Sequence, residues 1–203
     1  MNEFISNDIY FAKMRADALI PKKEDENAGY DLFAAFDERY ILIKPFRTEL
    51  IPTGIAWACD ENHYMQIVER SSTGKRGLKV SGGIIDSGYR GEIKVAIFNA
   101  NTSYLVFSPF AEEQIKGELL KDKALKEDDL KNLIFYSTSK AIAQGLIHIV
   151  EKLKIKEISL QALREIPSKR GEQGWGSTNT RDELKKVNEI LDRLPKFSDK
   201  ANK

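Results

Sequence analysis

The segment Gly-Ile-Ile-Asp-Ser-Gly-Tyr-Arg-Gly-Glu, residues 83–92, is the most informative part of this chain. Its two isoleucines favour a strand, its Ser-Gly pair suits a tight turn, and residues 93–97 then alternate with period two. The pattern predicts a β-hairpin that carries Asp86 at its turn, with the flat ring of Tyr89 beside it. A carboxylate placed in this way is able to act as a general base toward a water molecule.

Four further segments combine glycine, polar and aromatic residues in a similar way. They are Ala28-Gly29-Tyr30-Asp31-Leu32, Arg70-Ser71-Ser72-Thr73-Gly74, Ile142-Ala143-Gln144 and Arg170-Gly171-Glu172-Gln173-Gly174-Trp175-Gly176-Ser177-Thr178. Together with residues 83–92, and in this order, they closely resemble the five motifs of the homotrimeric dUTP pyrophosphatase (dUTPase) family. The resemblance spans residues 28–178, and its first, second, third and fifth motifs are specific.

Composition sets broader limits. The chain has 203 residues, enough for one domain with additions. Its 32 basic and 31 acidic residues leave a net charge of +1, so no global field recruits nucleic acid or an anionic membrane. Cys59 is the sole cysteine, which excludes an internal disulfide and suits a reducing compartment. With no apolar span and no signal-peptide pattern, we expect a cytoplasmic protein, or one of the host cytoplasm if a phage encodes it.

Short strand-like runs, separated by Gly, Pro and Asn/Asp turns, recur along the chain. They cover residues 9–13, 30–34, 40–44, 48–51, 54–58, 64–69, 93–99, 104–107 and 141–150. This spacing predicts an all-β sandwich or barrel. The family resemblance implies a jelly-roll-like β-barrel that assembles as a homotrimer.

Two segments depart from the strand pattern and predict helices. The first, residues 112–133, belongs to an insert at about residues 108–138, and its apolar residues follow helical spacing: Ile115, Leu119, Leu120, Leu125 and Leu130. The second opens with a capping box at residues 180–183 and continues with one apolar face: Leu184, Val187, Leu191 and Leu194. We therefore expect a dUTPase barrel domain with a Gly-rich arm at residues 1–178, and a C-terminal helical extension at 179–203.

The family resemblance implies a reaction, the hydrolysis of dUTP to dUMP and pyrophosphate by attack of water on the α-phosphorus. This reaction limits uracil incorporation into DNA and supplies dUMP for thymidylate synthesis. The resemblance implies that Asp86 activates the water and that Tyr89 excludes a ribose 2′-hydroxyl. It also implies that hairpin main chain reads the uracil edge, through Val80, Gly83, Ile84 and Ile85.

Phosphate and metal contacts are expected from the other motifs. A guanidinium followed by small hydroxyl residues, Arg70-Ser71-Ser72, is suited to gripping phosphate. The resemblance implies that Ser71 contacts the bridge between the α- and β-phosphates, and that the amide of Gln144 also contacts phosphate. It further implies that Asp31 reaches a Mg²⁺ cofactor through water, in keeping with a cation that keeps most of its hydration shell.

The fourth and fifth motifs differ from the usual family pattern. The fourth keeps Gln144 but lacks the turn glycine and the arginine, and Gly145 replaces an apolar residue, which predicts a bulge or a one-residue register change. In the fifth, Trp175 replaces the usual Phe and is expected to stack on uracil. The resemblance assigns Arg170 to the γ-phosphate. It also gives contacts with nucleotide to Gly176, Ser177 and Thr178, in sites built from three subunits.

Two alternatives remain open. A dCTP deaminase, alone or as a bifunctional relative, shares the fold but needs a glutamate on the strand after the hairpin, where this chain has Ala96. The other is a dUTPase that also binds a regulatory protein through residues 112–133, in contrast to an insert that is merely a solvated helix. No nucleic acid or membrane partner is expected. The source of the chain, cell or phage, is not encoded in these patterns.

Overall fold

A computed structural model describes residues 8–172 of the chain. The strands are β1 (Tyr10–Lys13), β2 (Tyr30–Leu32), β3 (Ile41–Ile43), β4 (Thr48–Pro52), β5 (Ile55–Ala58), β6 (His63–Val68), β7 (Leu78–Ser81), β8 (Ile84–Asp86), β9 (Lys94–Asn99), β10 (Leu105–Ser108), β11 (Ile134–Ser137) and β12 (Ala143–Ile149). The helices are α1 (Ser71–Lys75), α2 (Glu112–Lys121), α3 (Glu127–Lys131) and α4 (Leu160–Glu165). The predicted all-β class is confirmed. Two compact units divide the chain, one ending at Leu153 and the other beginning at Lys154.

Four small sheets make up the first unit over its described residues. Their strand orders are β1-β5, β11-β10-β3, β2-β12-β6-β8 and β4-β9-β7. Inward-facing apolar residues from all four sheets form one core, whose largest fully buried side chains include those of Trp57, Phe107, Met65 and Ile97. The alternating burial of β6 and β9 follows from the period of two in their sequences.

The predicted hairpin at residues 83–92 is half right. The turn forms, because the amide of Tyr89 donates to the carbonyl of Asp86 over 3.1 Å. The predicted pairing is wrong, since β8 pairs with β6 while β9 pairs with β4 and β7. Gly83, between β7 and β8, lets the chain leave the sheet of β7 and approach β6 closely. Its carbonyl accepts a 2.6 Å hydrogen bond from the amide of Ile67, and a Cβ there would lie 2.2 Å from the Ile67 carbonyl oxygen.

The predicted bulge in the fourth motif is also wrong. Strand β12 keeps an unbroken register with β6, and Gly145 lies directly opposite Ile67. A Cβ on Gly145 would approach the sulfur of Met65 to 2.8 Å. The space that an apolar side chain would fill is therefore occupied by Met65, and glycine at this position preserves the ladder.

The predicted helical insert forms α2 and α3, which pack on the outer face of β10. Four of its five predicted apolar residues are buried with Val106 in a second core: Ile115, Leu119, Leu125 and Leu130. The fifth, Leu120, is 39% exposed. Arg39 fastens α2 to the barrel, since its guanidinium pairs with Glu118 and lies 4.0 Å from the ring centroid of Phe110. The insert is therefore not a merely solvated helix.

The second unit, as far as it is described, contains the short helix α4. Its N-cap is Ser159, whose Oγ accepts a hydrogen bond of 3.1 Å from the amide of Ala162. The predicted tail helix beyond residue 180 and most of the Gly-rich arm lie outside the described residues. No helix within residues 8–172 is long and apolar enough to cross a membrane.

Candidate active site

A polar cleft gathers the residues predicted from the first, second and fourth motifs. Its volume is about 380 Å³, and it is lined by Asn27, Ala28, Gly29, Asp31, Arg70, Ser71, Ser72 and Gln144. Strand pairing explains the gathering, because Gln144 on β12 lies opposite Asp31 on β2 and opposite Val68 on β6. The amide of Gln144 donates to the carbonyl of Glu69 over 3.0 Å, which fixes the side chain at the mouth of the cleft.

Arg70 occupies the centre of this cleft and is held from two sides. Its Nε lies 3.0 Å from Oδ1 of Asp31, and its Nη1 donates to the carbonyl of Ala141 over 3.3 Å. Both partners of the ion pair remain about one third exposed, at 34% and 39% of their side-chain surfaces. The guanidinium is thus oriented but accessible, and it offers further N–H groups to an anion.

Ser71 and Ser72 open helix α1 immediately after Arg70. Backbone N–H groups in the first turn of a helix lack intrahelical acceptors and are suited to binding negative charge. The hydroxyl of Thr73 accepts a 3.0 Å hydrogen bond from the amide of Arg70 and donates to the carbonyl of Arg70 over 2.9 Å. This reciprocal contact fixes the start of the short helix α1.

Tyr136 supports the cleft from behind and was missed by the sequence analysis. Its Oη donates to the carbonyl of Ala141 over 2.9 Å, and that carbonyl also accepts from Arg70. Burial raises the pKa of Tyr136, opposed by the positive charges of Arg70 and Arg76. The phenol therefore remains a neutral donor near neutral pH. In the sequence, the strand-like run at residues 134–137 was the only indication of this position. That run falls inside the insert expected at about residues 108–138 and was therefore not predicted as a strand.

A second cleft surrounds the third-motif turn. Its volume is about 280 Å³, and it is lined by Leu50, Ile84, Ile85, Asp86, Tyr89, Glu92 and Lys94. Exposed apolar side chains form much of its wall: those of Leu50, Ile84 and Tyr89 are 58%, 55% and 46% exposed. A carboxylate thus sits in a largely apolar depression large enough for a planar ring. Leu50 and Lys94 lay outside the sequence motifs, whereas Glu92 closes the third motif but was assigned no role from the sequence.

The remaining residues assigned to uracil lie nearby but do not line this cleft. Val80 is on β7, where its amide donates to the carboxylate of Glu69 over 3.2 Å. Gly83 bonds to Ile67 of β6. Their main chains are engaged within the barrel, so the structure places Ile84 and Ile85, rather than Val80 and Gly83, at the cleft.

The two clefts lie far apart within one chain. Asp86 on β8 is opposite Tyr64 at the start of β6, whereas Arg70 follows the other end of β6. Strand β6 ends at Val68, and the four steps from Tyr64 to Val68 correspond to about 13 Å of extended strand. A general base must reach its proton directly or through one water. Asp86 and Arg70 of one chain therefore lie near opposite ends of β6.

The fifth motif, residues 170–178, lies within the second unit, and the structure describes only its first three residues. Arg170 follows α4, and its amide donates to Oγ of Ser168 over 3.2 Å. The other four residues predicted for this arm lie outside the described residues: Trp175, Gly176, Ser177 and Thr178. Their predicted contacts with nucleotide remain predictions.

Metal and thiol chemistry is limited within the described part of the chain. Residues 8–172 contain no group of three or more His, Cys, Asp or Glu side chains arranged to hold a metal ion. Burial raises the pKa of the Cys59 thiol, and the neighbouring Asp60 carboxylate acts in the same direction. Since the thiolate is the nucleophilic form, Cys59 is unsuited to catalysis at neutral pH.

Comparison with known proteins identifies the family. A family profile described as dUTPase matches residues 16–107. The deoxyuridine 5′-triphosphate nucleotidohydrolase of Clostridium kluyveri is 33% identical over 172 residues, which cover 83% of this chain and 95% of that protein. The chain belongs to the dUTPase family.

Other dUTPase relatives match over different lengths. The Pol polyprotein of Equine infectious anemia virus (strain Wyoming) is 40% identical over 84 residues, so the match covers 41% of this chain but spans 7% of the polyprotein. The solved Staphylococcus bacteriophage 80alpha dUTPase with dUPNHPP superposes with a TM-score of 0.62 at 20% identity, covering 86% of this chain and 100% of that one. The superposition extends the dUTPase fold to most of the chain.

Proposed function

We propose that the protein hydrolyses dUTP to dUMP and pyrophosphate, with Asp86 as the general base. The observation that carries the proposal is the pair of complementary clefts in a dUTPase-family chain. One is a largely apolar depression lined by the carboxylates of Asp86 and Glu92, and the other is a polar cleft built around Arg70. A nucleoside triphosphate has the same two chemical parts, a planar base with its sugar and a chain of anionic phosphates.

In the nucleoside cleft, Asp86 accepts a proton from water as that water attacks the α-phosphorus. Its carboxylate lies at the end of β8 and faces the same side of the sheet as Ile84. The ring of Tyr89 packs against the deoxyribose and leaves no room for a 2′-hydroxyl. The apolar wall excludes water around the reacting atoms, which strengthens the electrostatic interactions in the site.

In the phosphate cleft, Arg70 and Ser71 bind the oxygens on which charge develops. The guanidinium provides planar donors, while the hydroxyl and backbone N–H of Ser71 contact the bridge to the leaving pyrophosphate. Ser72 and Gln144 add neutral donors at the same cleft. Arg170, Trp175 and Ser177-Thr178 of the Gly-rich arm are proposed to cover the nucleotide, with Gly176 allowing a close approach of the backbone.

Mg²⁺ is the cofactor we propose, carried by the triphosphate and reached by Asp31 through water. The donor set fits this role, because a single partly exposed carboxylate suits a cation that keeps several waters and is held mainly by phosphates. The ion would neutralise charge on the phosphates. Asp31 also orients Arg70, so the same carboxylate links the metal and the cationic donors.

We further propose that the active unit is a homotrimer with shared sites. The Asp86 and Arg70 regions of one chain lie near opposite ends of β6, about 13 Å apart along the strand, which disfavours a single phosphorus atom near both. A second copy that places its turn beside the Arg70 cleft supplies the missing half. Closed rotational symmetry then repeats the same site around the assembly. Since the lone cysteine suits reducing conditions, we propose a cytoplasmic location.

The alternatives have less support. A deaminase needs a second free acid, but Glu92 in the nucleoside cleft accepts from the amide of Gly54 over 2.9 Å and lies 3.7 Å from Nζ of Lys94. A regulatory partner at residues 112–133 is weakly supported, because the apolar side chains of the insert mostly pack onto the barrel.

The test is to assay dUTP and dCTP in parallel with the wild-type protein and Asp86→Asn. We expect release of pyrophosphate from dUTP, no ammonia from dCTP, and a loss of turnover of several orders of magnitude in Asp86→Asn with binding of dUMP retained. An Asp86→Asn protein with wild-type turnover would refute the proposed mechanism. Ammonia release from dCTP would favour the deaminase instead.

A further inference from the structure

The third-motif turn is fastened by the residues that follow Tyr89. The Oη of Tyr89 donates to the carbonyl of Glu92 over 3.1 Å, which bends the ring back across Gly91. Glu92 is itself anchored, because its carboxylate accepts from Gly54. The ring position is therefore set by short-range contacts inside the turn, and it faces the cleft that contains Asp86.

Gly91 forms the floor on which the ring of Tyr89 rests. A Cβ at this position would lie 2.4 Å from Oη, 2.6 Å from Cζ and 3.0 Å from Cε2 of that ring. The backbone φ of Gly91 is outside the left-handed region, so an alanine there would be unstrained in itself. The three atoms nearest to a Cβ at residue 91 all belong to Tyr89, whose hydroxyl would have to retreat by about 1 Å to reach ordinary contact.

Arg90 ties the same turn to the barrel. Its Nη1 donates to the carbonyls of Ser87 and Tyr89, at 2.5 and 3.1 Å, and approaches the carbonyl of Trp57 on β5 at 3.5 Å. Arg90 and Glu92 do not share partners in these contacts, since Arg90 donates to Ser87 whereas Glu92 accepts from Gly54. A guanidinium directed at main-chain carbonyls on both sides of the turn holds its shape rather than binding an anion.

We infer that Gly91 is a specificity-determining residue and Arg90 a positioning residue of the dUTPase site. Gly91 leaves space for the ring of Tyr89 in the position where it bars a 2′-hydroxyl. Arg90 holds the turn, and with it Asp86, in a fixed position relative to the barrel. This inference rests on the proposed function for the role of Tyr89. It concerns two side-chain positions that contact neither the base nor the phosphates.

The main test compares Gly91→Ala with Gly88→Ala. Both glycines lie in the same turn without a left-handed φ, but a Cβ on Gly88 meets no atom within 4 Å. The measurements are kcat/KM for dUTP and UTP, and the affinities for dUMP and UMP by titration calorimetry. We expect the preference for the deoxyribonucleotide to fall at least about ten-fold in Gly91→Ala, since a displacement of about 1 Å at a site has large effects, and to be unchanged in Gly88→Ala.

A double-mutant cycle separates this role from a general loss of stability. If Gly91 acts through the ring, Gly91→Ala added to Tyr89→Ala should cause no further loss of discrimination. A further loss in the double variant, or an unchanged preference in Gly91→Ala, would overturn the inference. The affinities for dUMP and UMP test the inference independently of catalysis. A wild-type protein that prefers dUMP over UMP but does not hydrolyse dUTP would refute the proposed function, and the effect of Gly91→Ala on that preference would still decide the inference.

The role of Arg90 is tested by Arg90→Lys and Arg90→Ala. Alanine removes all three carbonyl contacts, whereas lysine restores a donor on a flexible stem. We expect Arg90→Ala to lower kcat about ten-fold or more with a smaller change in KM, because Asp86 is displaced while phosphate contacts remain, and Arg90→Lys to recover part of kcat. A purely stabilising residue would instead change the melting temperature and leave kcat per folded protein unaltered, which would overturn this part.

Discussion

Mixing two inactive variants should restore activity if the site is shared between chains. The first variant, Arg70→Gln, disables the phosphate cleft while leaving the third-motif turn intact. The second, Asp86→Asn, removes the base while leaving the phosphate cleft intact. Because each variant lacks one of the two halves that every site needs, each variant alone should have only residual turnover.

The expected recovery follows from counting chains at each site. In a trimer assembled at random from equal amounts of the two variants, one chain supplies the phosphate cleft and another supplies the turn. Each has about an even chance of being the variant whose contribution is intact, so about one quarter of the sites have two intact halves. The mixture should therefore reach about one quarter of the wild-type kcat per site.

The assay is co-refolding or co-expression of the two variants, isolation of the trimer and measurement of dUTP hydrolysis. A matched control mixes Asp86→Asn with Asp86→Ala, whose lesions lie in the same cleft, so no chain in that mixture supplies an intact turn. This control should remain inactive. Recovery in the control, or no recovery with Arg70→Gln in trimers shown to contain both chains, would refute the shared site.

Four further predictions follow from single contacts. Leu119→Ala, in the second core, should lower the unfolding free energy measured in urea titrations by about 2–5 kcal/mol, with little change in kcat. As a control, Leu120→Ala at the exposed neighbouring position should change the unfolding free energy by less than about 1 kcal/mol. Asp31→Asn should raise the Mg²⁺ concentration that gives half-maximal dUTP hydrolysis. Tyr136→Phe should lower stability by only about 1 kcal/mol, because Arg70 still donates to the Ala141 carbonyl, and calorimetry checks this. Because burial raises the pKa of Cys59, alkylation by iodoacetamide should be slow at pH 7 and accelerate as the pH rises toward that pKa.

Sequence patterns identified the faces of strands better than their partners. The alternation after the third-motif turn correctly marked which residues of β9 point inward. It did not reveal that β9 pairs with β4 and β7, because period two specifies a face and leaves the neighbouring strand undetermined. The departure from the family motif at Gly145 was wrongly predicted to cause a bulge or register change, because the sequence does not show which side chain lies next to this position. Its cause is the side chain of Met65, which lies 80 residues earlier in the sequence.

The candidate site was predictable where motifs carry the functional groups themselves. Asp31, Arg70 and Gln144 meet in one cleft, as the resemblance implied. Tyr136 could not be predicted, because its function depends on sharing one carbonyl oxygen with Arg70 across a long separation in sequence. Supporting residues of this kind have no motif, since any element that reaches the same point in space can provide the donor.

Because the two clefts are separate, the presence of all five motifs in one chain does not mean that one chain forms a complete site. Five motifs in one sequence suggest one complete site, yet the phosphate cleft and the turn with Asp86 occupy opposite ends of β6. Strand β6 lies between β12 and β8 in its sheet, and this pairing keeps its two ends apart. If the active unit is the proposed homotrimer with shared sites, turnover per chain should fall when the protein is diluted below the concentration at which the assembly dissociates.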